Sequence, residues 1–206
     1  MNSYEEIDFL GYKIYKIKFE EIDNQKVISE LRIDMDLWIP GKRFQDPKLK
    51  IPGIQIDGQS LCGDETRKLF TLCYNKVKET YETIENKKVI SGYQRGWFYI
   101  AVPELPNTDW HNHLRFHTDF ANTFTDYTWV YYVNLPNNCN GDEGKLFFRD
   151  SKIIDAKHRV TYHSFFPEYG YIYAFPAELE HLPALSPNST EDRITAGGNI
   201  ILNFEN

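Results

Sequence analysis

The second half of the chain constrains its fold most: short apolar stretches follow one another, with turn clusters between them and no long helix. Residues 97–102, 128–134, 145–149, 171–175 and 193–204 are each rich in aromatic or β-branched residues and are separated by Pro, Asn, Gly and Asp clusters. Parallel pairing would need crossover helices, which this stretch lacks. The strands must therefore pair antiparallel and close into a sandwich or barrel. Gly197-Gly198 inside the last strand predicts a bulge or a close approach by neighbouring groups.

The first half has a different period. Between 64 and 86, Leu69, Leu72, Cys73, Val77, Tyr81 and Ile84 recur every three or four residues, the stripe of an amphipathic helix. Asp64 is placed to cap its start, and Lys87-Lys88 suits the negative end of the helix dipole. Val27, Ile28, Leu31 and Met35 put a second helix within 24–38. From 15 to 19 apolar residues alternate with lysine, which predicts an edge strand. The expectation is one α+β domain, mostly β, spanning 1–206. Residues 1–90 form its helical part, packed on one face of a barrel built from 91–206.

Composition narrows the function. With 41% apolar and 26% charged residues the chain is that of a folded, soluble protein, long enough at 206 residues to bury a core without disulfides. Cys62, Cys73 and Cys139 are odd in number and contain no Cys-x-x-Cys, which fits a reducing compartment and a cytoplasmic protein. The sequon at Asn188-Ser189-Thr190 then carries no glycan. No run approaches the roughly 18 apolar residues of a membrane span, and the first residues lack the basic and apolar segments of a signal peptide. A net charge of −7 argues against a nucleic-acid backbone as the main partner.

The histidines point to metal chemistry. Three of the six stand at 111, 113 and 117, and His181 stands alone further on. His117-Thr118-Asp119 sets an imidazole and a carboxylate two residues apart, so an extended chain turns both to one face, where they can share an ion. His181 supplies a third ligand after the strand at 171–175. Two histidines and a carboxylate on one face of an octahedral Fe(II) leave the remaining positions open, the donor set of oxygen-activating iron centres. His111-x-His113 has the same spacing and competes either as a ligand pair or as lining of the pocket mouth. A His-x-Asp alone recurs by chance, so its surroundings must carry the assignment.

Those surroundings are ordered. After His117-x-Asp119 come Tyr131-Tyr132-Val133-Asn134, then Gly144-Lys145-Leu146-Phe147-Phe148, then Gly170 to Pro176 leading into His181, and finally Arg193-Ile194-Thr195. Over residues 95–204 this series resembles the 2-oxoglutarate/Fe(II)-dependent dioxygenase superfamily, in its prolyl-hydroxylase-like branch. The resemblance implies a double-stranded β-helix, a jelly-roll or cupin-like barrel, with iron held by His117, Asp119 and His181. It also implies that 2-oxoglutarate is cosubstrate with O2 and is anchored through its far carboxylate by Arg193. Thr195 would add a hydroxyl and Tyr132 a phenol, while Tyr131 points the other way on a regular strand. The implied reaction couples decarboxylation of 2-oxoglutarate to succinate and CO2 with hydroxylation of an organic or peptidyl substrate. Retention of Asp119 favours hydroxylation over halogenation.

Two other readings share the barrel. A cupin-like module would bind a metal or small ligand without oxygenase activity, and it has no need of the cation at Arg193. A jelly-roll serving only protein contacts would have no need of the histidines. The chain departs from the family pattern in a longer loop between His181 and Arg193 and in Lys145 after Gly144, and residues 1–90 match none of its motifs.

Overall fold

A computed structural model describes residues 4–37, 54–58, 63–101, 110–113, 115–118, 121–154 and 160–205. The large sheet is antiparallel and runs in the order β1-β2-β10-β7-β12-β4-β3. Its strands are β1 (Tyr4–Phe9), β2 (Tyr12–Lys18), β3 (Ile54–Asp57), β4 (Val89–Ala101), β7 (Tyr127–Asn134), β10 (Tyr171–Pro176) and β12 (Arg193–Phe204). A smaller sheet, in the order β11-β8-β9, contains β8 (Leu146–Ile154), β9 (Val160–Phe165) and β11 (Glu180–Pro183). A hairpin of β5 (Arg115–Thr118) and β6 (Ala121–Phe124) pairs only with itself among the described residues. The two larger sheets meet face to face: Phe148 of β8 packs edge-on against Phe175 of β10, and Phe165 of β9 lies against Tyr173. This is the expected jelly-roll.

The helices α1 (Asn24–Leu37) and α2 (Asp64–Glu85) cover the outer face of the large sheet. The predicted stripe is the one that packs: Leu69, Cys73, Val77 and Tyr81 join Val27, Ile28 and Leu31 in one core with Phe98, Trp129, Tyr131, Ile172 and Ile194. Asp64 does not cap α2. Gly63 occupies the cap position with no side-chain bond of its own. Instead the Glu30 carboxylate, from α1, accepts hydrogen bonds from the amides of Glu65 (3.1 Å) and Thr66 (2.9 Å). The orphan amides of one helix are thus satisfied by its neighbour. Among the described residues neither helix is long and apolar enough to cross a membrane.

Residues before 90 are less purely helical than the hydropathy pattern suggests. The predicted edge strand is β2, but it lies second from the edge, between β1 and β10, with the charged β1 outside it. Lys16 on β2 is then neutralised by Glu168 and Glu5, and Lys18 by Glu20. That pairing explains how a lysine-bearing strand sits inside a sheet.

β12 is the central structural strand, paired with β4 on one side and β7 on the other. Its register against β4 is unbroken at Gly197 and Gly198, so the pair marks close packing and no bulge. A side chain at Gly198 would run into the indole of the fully buried Trp129. Gly198→Ala is therefore expected to destabilise the fold by about 1–3 kcal/mol, the usual range for overpacking a filled core. Urea unfolding measures it, and an unchanged midpoint would mean that Trp129 has room to retreat.

Candidate metal and cosubstrate site

Strand alternation sorts β12 into two faces. Ile194, Ala196 and Ile200 belong to the core under the helices, so Arg193, Thr195 and Gly197 face the space between the sheets. Thr195 pairs with Tyr132 on β7 and Tyr99 on β4, and Gly197 pairs with Trp97. These partners share the inner face. Tyr131 faces the opposite way, as expected, packing on Phe19 and donating its hydroxyl proton to Asn24 Oδ1 at 2.8 Å.

At one end of this interior lies Arg193, only 1% exposed. Its Nη1 donates to the Ala184 carbonyl at 2.5 Å, while Nε and Nη2 find no partner among the described residues. Burial lowers its pKa, and the nearby Tyr132 and Tyr99 act in the other direction. Both phenols are in turn pushed up to about 12 by burial, with the guanidinium pulling them down. Thr195 Oγ1 donates to the Tyr99 carbonyl at 3.3 Å. Arg95 and Arg149 are each paired with a carboxylate, Asp57 and Glu180 respectively. Arg193 forms no ion pair among the described residues, and a buried cation left that way calls for an anion.

The other end holds imidazoles. His181 on β11 pairs with Phe148 of β8 on one side. On its other side the extended segment 110–113 forms an antiparallel bridge: His111 N donates to His181 O (3.2 Å) and His181 N to His111 O (2.9 Å). His113 N donates to the Ala177 carbonyl at 2.9 Å. Two residues apart on an extended chain, His111 and His113 turn the same way, toward His181. Ligand-capable nitrogens of the three lie within 4.8 Å of one another. Trp97 (5.0 Å from the His113 ring) and Phe175 (5.0 Å from that of His181) wall the cluster.

Two of these imidazoles resist protonation. Burial and then the neighbouring His111 lower the His113 pKa to about 3, and burial followed by His111 and His113 drives His181 well below its ordinary value. A neutral ring keeps a lone pair for a metal, so the donor set fits a divalent transition ion. His181 Nδ1 sits 3.5 Å from the Leu179 carbonyl, a long contact that favours a proton there and leaves Nε2 as donor atom.

Of the residues singled out in the sequence, His181, Arg193, Thr195 and Tyr132 thus line one interior. The backbone of His117 lies on β5, paired with Asn122, and its side chain is outside the described residues, as is all of Asp119. The group the structure brings together with His181 is the competing pair, His111 and His113. Trp97 and Tyr99 escaped notice in the sequence. Their signal was the inward phase of β4, readable only once that strand is paired with β12.

No protein-family model matches the chain, and no curated protein matches it by sequence. Solved structures match its fold. A Pseudomonas putida prolyl-4-hydroxylase superposes with a TM-score of 0.59 at 12% identity, over 91% of this chain and 91% of its own. The non-heme alpha-ketoglutarate-dependent carbocyclase SnoK from nogalamycin biosynthesis gives 0.60 at 8% identity, over 94% of this chain and 79% of its own. A viral collagen prolyl hydroxylase from Paramecium bursaria Chlorella virus-1, in complex with 2-oxoglutarate, gives 0.51 at 12% identity, over 97% and 96%.

The lowered histidine pKa values set the pH dependence. Between about 3 and 6.5 the unfolded chain binds a proton at His113 that the folded one refuses, and His181, also lowered, acts in the same sense, so stability rises with pH across that window. It is complete above the ordinary histidine value and is lost on acidification. Thermal melts of metal-free protein should show a lower midpoint at pH 5 than at pH 7, with a smaller difference in His113→Leu. An equal pH response in the two proteins would contradict the burial of that ring.

Proposed function

We propose that this protein is a 2-oxoglutarate- and Fe(II)-dependent dioxygenase, a hydroxylase whose site lies between the two sheets. The observation that carries this reading is the pairing of opposites in one interior: a buried guanidinium whose Nε and Nη2 find no partner among the described residues at one end, and three clustered imidazoles at the other. A barrel that merely held a metal would gain nothing from burying Arg193, and this counts against the cupin-like alternative.

In this reading His111, His113 and His181 hold the iron. The set expected from the sequence, His117, Asp119 and His181, shares one ligand with it. Arg193 receives the far carboxylate of 2-oxoglutarate through two parallel hydrogen bonds, with Thr195 and Tyr132 beside it and Tyr99 completing the rung. Gly197, paired with Trp97, lies four residues beyond Arg193, ~13 Å of strand, so an extended dicarboxylate is directed along the barrel axis. Trp97, Phe148 and Phe175 keep bulk water from the histidine end. When bound, iron and cosubstrate supply the oxygen chemistry, in which 2-oxoglutarate gives succinate and CO2 and the substrate gains a hydroxyl group. The whole chain, 1–206, acts as one domain with the helices as buttress. The fold relatives are named for a prolyl hydroxylation and for a carbocyclisation, so the barrel itself does not choose between peptidyl and small-molecule substrates.

Two experiments test this. Anaerobic titration of 2-oxoglutarate into the Fe(II) protein, followed by its visible charge-transfer band, should show weaker binding in Arg193→Ala by roughly 30-fold to a few thousand-fold, the range for truncating one partner of a buried charge pair. Iron content should stay near wild type, and Arg193→Lys should fall between the two. Equal dissociation constants would remove Arg193 from the site. In the second experiment, alanine at His111, His113 or His181 should each abolish iron retention while alanine at His117 or Asp119 does not. The reverse pattern at the first pair and the last would restore the ligand set expected from the sequence.

A further inference from the structure

The segment that carries His111 and His113 has two faces, and the second has a task of its own. Alternation that sends these histidines inward sends Trp110 to the outer face of the small sheet. There the guanidinium carbon of Arg149 lies 4.4 Å from the centre of the Trp110 ring. Arg149 Nε donates to Glu180 Oε2 at 3.0 Å, and the Ser151 amide donates to the same oxygen at 3.3 Å. Glu180 is the residue before His181 and the cross-strand partner of Arg149. The Trp110 ring also runs nearly parallel to Tyr162 (6.3 Å, 18°) and meets Phe147 edge-on (6.4 Å, 84°). One side chain adjoining His111 is therefore tied across β11 to β8 and β9.

The tie adds side-chain contacts with β8 and β9 to the backbone contacts of this segment. Residues 110–113 are joined to the sheet through the His111–His181 bridge and the His113 amide. A three-histidine centre needs its rings fixed to within a fraction of an ångström, and outer groups that fix ligands are worth about 10–100-fold in metal affinity. A cation seated on an indole and locked by a carboxylate supplies such a fixture, because moving Trp110 would also unseat Arg149 and release Glu180 beside His181.

We propose that Trp110, Arg149 and Glu180 form an outer clasp that positions the two histidine-bearing strands against each other, making them positioning residues for the metal centre. The inference rests on the reading of His111, His113 and His181 as ligands. Its test uses two readouts on the full chain. The first is amide hydrogen exchange in the metal-free protein at His111, His113 and His181. The second is Co(II) titration followed by ligand-field absorption. Trp110→Ala should speed exchange at those amides about tenfold or more, leave β7 and β12 protected, weaken Co(II) binding about 10–100-fold and alter its spectrum. Trp110→Phe and Arg149→Lys should recover much of both, which a general loss of folding would not allow. Wild-type Co(II) affinity and spectrum in a folded Trp110→Ala protein would overturn the clasp. Absence of Co(II) binding by the wild type, with exchange still raised in the variant, would instead overturn the metal-centre reading and leave the clasp a purely structural tie.

Discussion

Strand β12 is the constraint on which the rest depends. Its even-numbered residues from Ile194 to Leu202 close the core beneath the helices, and its odd-numbered residues from Arg193 to Gly197 line the site. Because the side-chain period of a strand is two, a slip of one residue would exchange these sets, placing Arg193 in the apolar core and Ile194 in the pocket. The register is held from both sides at once by β4 and β7. Gly198, which admits the Trp129 indole where any side chain would collide, makes a slipped alignment still less favourable. Stability and chemistry are thus specified by one pairing.

Burying Arg193 opposes folding. A guanidinium removed from water with one carbonyl acceptor among the described residues loses several kcal/mol of solvation that this bond does not return. The surrounding core offsets this, since the large aromatic residues Trp129, Tyr131, Phe98 and Phe175 are fully buried. Such local frustration inside an otherwise consistent fold is expected where a ligand completes the structure. The tyrosines at Arg193 fit the same view: phenols pushed up to about 12 remain protonated and offer neutral O–H donors beside the cation.

Much of this was legible in the sequence, and the parts that were not have a common cause. The α2 stripe, the bounds of β12 and the common face of Arg193 and Thr195 follow from local periodicity, which a chain displays without reference to its fold. The short strands β3, β6, β9 and β11 carry too few residues for a period to emerge, and Glu30 at the start of α2 belongs to a contact across 35 residues. The metal ligands fall between these cases. His111-x-His113 and His117-x-Asp119 have the same spacing and the same tendency to face one way, so local geometry cannot rank them. Which segment lies beside β11 is a long-range choice, made for residues 111–113 by the bridge between His111 and His181. Family resemblance favoured the pair that includes a carboxylate. The described structure assembles the pair without one, and the His117 and Asp119 side chains lie outside the described residues.

An all-imidazole cluster changes the electrostatics of the interior. His113 and His181 resist protonation, so among the described residues of this interior the positive charge of the buried guanidinium stands at the opposite end. A dicarboxylate entering the metal-free barrel would find one of its charges paired at Arg193 and the other facing apolar rings, an arrangement that low local polarity penalises heavily. A divalent ion on the imidazoles supplies the missing partner, and neutral imidazole ligands cancel none of its charge. On the proposed reading, metal and cosubstrate therefore bind with positive coupling, and linkage makes the effect reciprocal: a bound dicarboxylate tightens the metal by the factor that the metal tightens the dicarboxylate. The spatial separation of Arg193 from the histidines is what allows this, since a cation placed among the imidazoles would repel the ion it is meant to assist.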